Sequence, residues 1–137
     1  MQDVEISFDP ARIDFERTSS LIRQSYWGGQ RTDAMDRRAF ANSVCAIALI
    51  GGKQVGFARA SGDRTCFARI SDIMVWPVFR GRGIGKMLVE SLLGHEELAT
   101  VTIWTLNTGD AHSLYERYGF KPCVDGHEMR LDRSASE

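Results

Sequence analysis

Residues 75–86 read VWPVFRGRGIGK and predict the end of a β-strand, a basic glycine-rich loop and the start of a helix. The first N–H groups of a helix have no partner within it, and the helix dipole adds about half a positive charge there. Glycine leaves these donors open because it has no Cβ atom to keep an anion away. Since Arg80, Arg82 and Lys86 add positive charge, the loop predicts a phosphate-binding site.

Two common phosphate-binding loops do not fit this stretch. A P-loop has glycine five residues before its Gly-Lys pair and Ser or Thr after it, whereas Arg80 and Met87 occupy these positions. The dinucleotide pattern GxGxxG fails in both frames, because Lys86 or Leu88 stands where the third glycine is needed. The sequence therefore disfavours nucleotide hydrolysis and dinucleotide binding.

The segments before the loop predict a strand, two helices and three further strands. An alternating strand at residues 4–8 precedes a helix that Asp14 caps and Gly28-Gly29 ends. Thr32 caps a second helix that runs to about Ala41. Three strands rich in β-branched residues then form an antiparallel meander, at residues 44–50, 54–60 and 66–75.

The segments after the loop predict helices that alternate with strands. A helix with one apolar face begins at Gly83 and ends at Gly94. A strand at 101–106 and a short helix capped by Asp110 follow, before closing strands at 120–124 and 128–131. The order β-α-α-β-β-β-α-β-α-β-β predicts a mixed sheet with helices on both faces.

Length and composition predict one folded domain over residues 1–137, with a core at about 4–131 and a loose tail at 133–137. The net charge is −1, from 17 basic and 18 acidic side chains, so no general attraction to nucleic acid or to anionic membrane is expected. No apolar stretch is long enough to span a bilayer, and acidic residues lie near the start of the chain. We therefore expect a cytoplasmic protein.

Cysteine and histidine patterns do not predict a metal site. Cys45, Cys66 and Cys123 are widely spaced and odd in number, so we expect buried structural thiols. The three histidines form no zinc-binding pattern, so neither a catalytic nor a structural zinc ion is expected.

The pattern Arg80-x-x-Gly83-x-Gly85 resembles the R/Q-x-x-G-x-G/A loop of the GNAT superfamily, the general-control-related N-acetyltransferases, in which it binds coenzyme A. Three more features match in order, namely residues 73–75 followed by a proline, Asn107 after the next strand, and the segment 111–120 that contains Leu114-Tyr115. The resemblance covers residues 72–122. It implies an α/β (mixed α+β) fold in which a mostly antiparallel sheet of about 6–7 strands is flanked by four helices.

The same resemblance implies an acetyltransferase that uses acetyl-coenzyme A (acetyl-CoA) as co-substrate, without a metal. It assigns the acetyl carbonyl and pantetheine arm to Met74 and Val75. It assigns the pyrophosphate to Arg80, Gly81, Arg82, Gly83, Ile84, Gly85 and Lys86. Asn107, Ala111 and Leu114 complete the carrier-binding set, although Asn107 is also typical of a turn at a strand end and Arg80 of a solvated loop charge.

Two residues are candidates for proton transfer. Tyr115 resembles the family tyrosine that protonates the departing thiolate, and its alternative is core packing on a helix face. Asp72 shares its strand parity with Ala68, Ile70 and Met74, so it is a lone carboxylate on an apolar face and a candidate general base. The alternative for Asp72 is an ion pair with an arginine such as Arg59. Many family members carry Glu at the position of Ser71, which leaves the identity of the base open.

Substrate contacts are expected from Tyr26, Trp27, Arg31, Phe57 and Arg59, with core packing or dimer contacts as alternatives for the first two. The expected partner is a small-molecule or peptide amine, not nucleic acid or membrane, and a homodimer is common in small proteins of this family. Two other functions remain open. One is a coenzyme A-binding module without turnover, and the other is a nucleic-acid-binding loop, which the neutral overall charge disfavours.

Overall fold

The structure is a computed structural model that describes residues 3–25, 29–107, 112–121, 129 and 131. It divides into two compact units, Met1–Leu106 and Asn107–Glu137. The first unit contains the sheet and three helices, and the second contains one short helix among its described residues. The expectation of a single domain over residues 1–137 stays a prediction.

The first unit is built on a five-stranded sheet in the spatial order β1-β2-β3-β4-β5. Neighbouring strands are antiparallel except β4 and β5, which are parallel. The mixed, mostly antiparallel class is confirmed, while the described residues hold five strands rather than about 6–7. The predicted closing strands at 120–124 and 128–131 lie mostly outside the described residues. The strands are β1 Glu5–Ser7, β2 Val44–Ile50, β3 Lys53–Gly62, β4 Phe67–Val75 and β5 Ile103–Thr105.

Helix starts follow the predicted caps. The side chain of Asp14 accepts the Arg17 N–H at 3.1 Å, and Thr32 Oγ1 accepts the Met35 N–H at 3.2 Å. The first helix ends at Gln24 and not at Gly28-Gly29, because the backbone of Ser25 adopts an extended conformation. The helices of the described residues are α1 Phe15–Gln24, α2 Asp33–Ala41, α3 Ile84–Leu93 and α4 His112–Glu116.

The two faces of the sheet pack against different helices. One face carries Phe57 and Ile47, which form a buried cluster with Ile22 of α1 and Phe40 of α2. The other face packs against α3, and a Cβ atom added to Gly56 would lie 3.2 Å from Leu88 Cδ1 and 3.3 Å from the Ala48 Cβ. Glycine at position 56 therefore allows α3 to approach the sheet closely.

A β-bulge in β4 overturns one sequence expectation. The register pairs Phe57 with Met74 and Arg59 with Ser71, so two β4 residues, Asp72 and Ile73, lie opposite a single β3 residue. Asp72 adopts a left-handed φ of +55°, which costs most residues about 1–2 kcal/mol but which Asp tolerates better than most. Because of the bulge, Met74 lies on the Phe57 face, whereas Ile70 pairs with Ala60 on the α3 face. The prediction that Ala68, Ile70, Asp72 and Met74 share one face is therefore wrong.

The cysteine prediction is confirmed at one position and wrong at another. Cys45 is buried, and burial raises the pKa of its thiol to about 11. Cys66 is exposed, because it lies in the turn that leads into β4, and Cys123 lies outside the described residues. Among the described residues, no three His, Cys, Asp or Glu side chains are arranged to hold a metal ion. The described helices are also too short or too polar to cross a membrane.

Candidate functional site

The loop between β4 and α3 presents backbone N–H groups at the start of the helix. Gly81 and Gly83 have φ values of +82° and +80°, and Gly83 is the N-cap of α3, where it offers no side-chain cap. The first helical hydrogen bond runs from Met87 N–H to the Gly83 carbonyl at 3.1 Å, so the three N–H groups of residues 84–86 have no partner within the helix. A Cβ atom on Gly83 would meet no atom of the described structure within 4 Å. This turn leaves both donors and space for an anion.

Three cationic side chains belong to the same turn as these donors. Arg80, Arg82 and Lys86 are exposed, and the Arg82 guanidinium lies 5.3 Å from the ring centroid of Phe79, which itself packs against the core. Arg80 Nε donates to the Val75 carbonyl at 3.2 Å, so this arginine is fixed to the strand end. Ile84 has a buried side chain and can offer a ligand only its backbone.

A cleft of about 580 Å³ lies beside this loop. Its volume falls within the range of small-molecule pockets, which is about 300–1,000 Å³. Three of the predicted carrier contacts, Met74, Val75 and Arg80, are among its lining residues, and their contact with a carrier stays a prediction. The contribution of α1 was not predicted, because nothing local in α1 signals that its end faces β4. The lining residues are Leu21, Gln24, Ser25, Ile73, Met74, Val75, Pro77 and Arg80.

The register of β4 determines which backbone groups face away from β3. Val75 is the partner of Gly56, and the next N–H, that of Trp76, donates to the Val55 carbonyl at 2.8 Å. Such a bond flanks a non-hydrogen-bonded pair, so the N–H and carbonyl of Val75 point away from β3. The bond from Arg80 Nε to this carbonyl agrees with that direction.

The β5 side of β4 is open where the cleft lies. Within the described residues, β5 pairs only with residues 67–69 of β4, so residues 70–75 have a strand neighbour on the β3 side alone. The Val75 N–H therefore points toward a sheet edge that none of the described strands covers, beside cleft-lining residues.

Asp72 does not have the surroundings of a general base. Its carboxylate accepts from Arg31 Nη1 and Nη2 at 2.7 and 2.9 Å and from Arg59 Nε at 2.6 Å, with 3% of its side chain exposed. Burial alone would raise the pKa of Asp72, but the hydrogen bonds and charges of Arg31 and Arg59 outweigh it and hold the pKa below its usual value. Proton transfer from an alkylammonium to a carboxylate of ordinary pKa is already uphill by roughly 9 kcal/mol. The alternative expectation, an ion pair with Arg59, is the arrangement observed.

Residues 41–122 match the family model for the acetyltransferase (GNAT) domain. The chain belongs to the GNAT family. A GNAT-family protein of Xanthomonas campestris pv. campestris has 35% sequence identity and a TM-score of 0.85, with 90% of this chain and 88% of that chain covered. The family assignment and its mixed fold thus agree with the expectation from the sequence.

Other relatives are more distant or longer than this GNAT chain. An N-acetyltransferase of Pyropia yezoensis, itself named uncharacterized, is 36% identical over 96 residues, which are 64% of this chain and 54% of the relative. The chain spans about half the length of the first curated relatives it matches. An aminoglycoside N-acetyltransferase in complex with CoA shares the fold at 18% identity and a TM-score of 0.66, covering 96% of this chain and 95% of its own.

The second unit of the GNAT chain carries Tyr115 in a helix-ending motif. Phe120 N–H donates to the Tyr115 carbonyl at 3.3 Å and Gly119 N–H to the Glu116 carbonyl at 3.0 Å, with Gly119 at a φ of +91°. This is a Schellman motif, and its usual apolar contact is made by the rings of Tyr115 and Phe120, whose centroids lie 6.2 Å apart. The ring of Tyr115 therefore packs within the motif that ends α4, and the catalytic role of its hydroxyl stays a prediction. Asn107 is exposed, Leu114 is half-buried and Ala111 lies outside the described residues.

Three of the expected substrate contacts of the GNAT chain make interactions within the protein instead. Phe57 is fully buried and lies 4.8 Å from the Phe40 ring, so its assignment as a substrate contact is wrong. Arg31 and Arg59 bind Asp72 and have 19% and 15% of their side chains exposed. Tyr26 and Trp27 lie outside the described residues.

Proposed function

We propose that this GNAT protein binds acetyl-CoA and transfers its acetyl group to an amine. The observation that carries the proposal is the anion-binding turn at the start of α3, placed next to a cleft of about 580 Å³ at the end of β4. If the diphosphate of acetyl-CoA binds to the turn, its flexible thioester arm can lie beside the open edge of β4. The CoA complex of the aminoglycoside N-acetyltransferase with the same fold supports this carrier.

The backbone would perform most of the carrier recognition. The N–H groups of residues 84–86 and the side chains of Arg80, Arg82 and Lys86 would bind the diphosphate. The Val75 N–H would donate to the thioester carbonyl oxygen, which becomes an oxyanion when the amine attacks. Loss of one such donor typically costs about 3–4 kcal/mol of transition-state stabilisation.

The reaction also requires two proton movements. An alkyl amine with a pKa near 10.4 costs roughly 4.6 kcal/mol to deprotonate at pH 7. Because Asp72 is held by two arginines, we assign this proton to water in the cleft. The amine nitrogen then bonds the carbonyl carbon, the C–S bond breaks, and the second proton of the nitrogen passes through water to the departing thiolate. By its resemblance to the family tyrosine, Tyr115 would donate a hydrogen bond to that thiolate. Full transfer from tyrosine to a thiolate is uphill by roughly 2 kcal/mol, so the hydrogen bond is the main contribution of Tyr115.

The acceptor is a small-molecule or peptide amine. Glucosamine-6-phosphate N-acetyltransferase of Arabidopsis thaliana shares the fold at 20% identity and a TM-score of 0.68, with 96% of this chain and 100% of that chain covered. Likeness at this level extends to the fold and not to the substrate. A broad set of amines is therefore the appropriate first test.

A thiol-release assay tests the proposal. Acetyl-CoA is incubated with pools that contain glucosamine 6-phosphate, an aminoglycoside, a polyamine, amino acids and a lysine-containing peptide, and products are identified by mass spectrometry. We expect thiol release that depends on one pool, with one acetyl group added to the amine. Binding of CoA without thiol release from any pool would instead indicate a carrier-binding module without turnover.

A further inference from the structure

Two buried carboxylates and two partly buried arginines connect the β4 bulge to the helical layer. Asp72 of β4 binds Arg59 of β3 and the Arg31 side chain, which precedes α2, and Arg31 Nε also donates to Asp36 of α2 at 2.8 Å. Between 0% and 19% of each side chain is exposed, and the two positive and two negative charges balance. We name Arg31, Asp36, Arg59 and Asp72 the bulge clamp.

The clamp acts where the backbone departs from a regular strand. Asp72 is the left-handed residue of the bulge, and the three residues that follow it, 73–75, all line the cleft. Inward and outward backbone groups alternate with a period of two residues along a strand. If the extra residue of the bulge were lost, the register would shift by one, and the Val75 N–H would turn toward β3.

Each carboxylate oxygen of Asp72 has a guanidinium partner. Arg31 binds both oxygens as a planar fork, and Arg59 Nε adds a second bond to Oδ2. Arg59 is held in turn by Ser43 Oγ, which accepts from its Nη1 at 3.1 Å. The direction of the Asp72 side chain, and with it the left-handed backbone, is therefore fixed from α2 and from β3.

We propose that Asp72 is a positioning residue, and that the bulge clamp holds β4 in the register in which Val75 presents its N–H to the thioester carbonyl. The inference rests on the proposed function, since it assumes that acetyl-CoA occupies the cleft. It assigns to Asp72 a role that acts through the backbone of residues 73–75 and not through proton transfer.

A charge-balanced pair of substitutions tests this role. The variant Asp72→Asn/Arg59→Gln removes one negative and one positive charge, so Arg31 keeps Asp36 as its partner. The matched control is Arg64→Gln/Glu97→Gln, which removes a 3.0 Å ion pair between the β3–β4 turn and residues 96–98 and likewise removes one positive and one negative charge. Acetyl-CoA labelled with a heavy isotope at its carbonyl carbon is bound to each protein, and the carbonyl stretch is measured by difference infrared spectroscopy.

The carbonyl stretch reports the hydrogen bond from Val75 directly. Wild type and control should lower the frequency of the stretch equally, and the clamp variant should lose most of this shift. The Kd for CoA should stay within about threefold in all three proteins, because the diphosphate turn is a separate contact. Arg59→Lys keeps the charge but loses the Nε donor, so it should give a smaller shift than wild type even if the double variant does not fold.

The failures of the two proposals can be told apart. An unchanged carbonyl shift in both clamp variants, with acetyl-CoA still bound, would overturn the positioning role and leave the proposed function intact. Failure of the wild-type protein to bind acetyl-CoA would overturn both.

Discussion

Tyr115 combines an aromatic ring that packs with a hydroxyl that we assign to the leaving thiolate. The ring contacts Phe120 within the motif that ends α4. Tyr115→Phe keeps that contact and removes only the hydroxyl, so we expect a folded protein with an unchanged Kd for CoA and a kcat lowered at least about tenfold. Steady-state kinetics and calorimetry check this, and equal turnover in the two proteins would refute the role of Tyr115.

The structure around a single residue was predictable from the sequence where its cause lies within a few residues. Gly83 was predicted correctly as the start of a helix because the pattern lies within a few residues. The surroundings of Asp72 were predicted only as an alternative, since its partner Arg31 is 41 residues away and the bulge depends on the register with β3. Phe57 was misassigned because a strand residue on a buried face cannot be told from one on a ligand-facing edge without the partner strands.

At the scale of elements, the start of α3 is the feature on which binding depends. Gly83→Ala forces a side chain into a backbone with a φ of +80°, and Gly52→Ala in the β2–β3 turn does the same at an identical φ. Neither added Cβ meets an atom of the described structure within 4 Å. Each substitution should therefore lower the free energy of unfolding by a similar amount, roughly 1–2 kcal/mol. Only Gly83→Ala should weaken CoA binding, by at least about tenfold.

Chemical denaturation and calorimetry on both glycine variants measure the two effects separately. Equal losses of CoA affinity in Gly83→Ala and Gly52→Ala would mean that general destabilisation, and not the anion turn, explains the result.

The turn between β3 and β4 depends on one carboxylate. Asp63 Oδ1 accepts the N–H groups of Thr65, Cys66 and Phe67 at 2.8, 2.7 and 3.1 Å, and these backbone bonds lower the pKa of Asp63 to about 2. A lowered pKa stabilises the folded state above the ordinary value of 3.8, and this contribution is lost as the pH falls toward 2. Asp63→Asn should therefore make the unfolding free energy depend less steeply on pH between these values. Urea denaturation at several pH values tests this, and an unchanged slope would contradict it.

Element boundaries were predictable where a cap or turn residue is local. Thr32 and Asp14 start their helices as predicted because each side chain bonds an N–H three residues ahead. The end of α1 at Gln24 was not predicted, since Gly28-Gly29 is a stronger stop signal than Ser25.

At the scale of the whole molecule, the bulge clamp joins sheet and helices through buried charge. Asp72→Asn alone leaves Arg59 and part of Arg31 without a counter-charge, which typically costs about 3–5 kcal/mol. Asp72→Asn/Arg59→Gln restores the balance, so it should be more stable than the single variant although it carries more substitutions. Urea denaturation of both proteins measures this difference, and a double variant less stable than Asp72→Asn would contradict it.

The mixed class of the sheet and the meander of β2, β3 and β4 were predictable, because strand runs, glycine turns and helix periodicity indicated the same arrangement. The pairing of β1 with β2 and of β5 with β4 was not predicted, since it joins segments that are distant in the sequence. Only part of the lining of the cleft was predictable from the sequence. Its β4 and loop side follows from the motif, whereas its α1 side depends on how the helical layer packs.

Calorimetric titration measures whether the turn at residues 80–86 binds the diphosphate of CoA. The comparison ligand is pantetheine, which carries the same thiol arm without the diphosphate. We predict that CoA binds at least about tenfold more tightly than pantetheine and that added salt weakens only CoA binding. Equal affinity for the two ligands, or no binding of CoA by folded protein, would show that the turn does not bind the diphosphate.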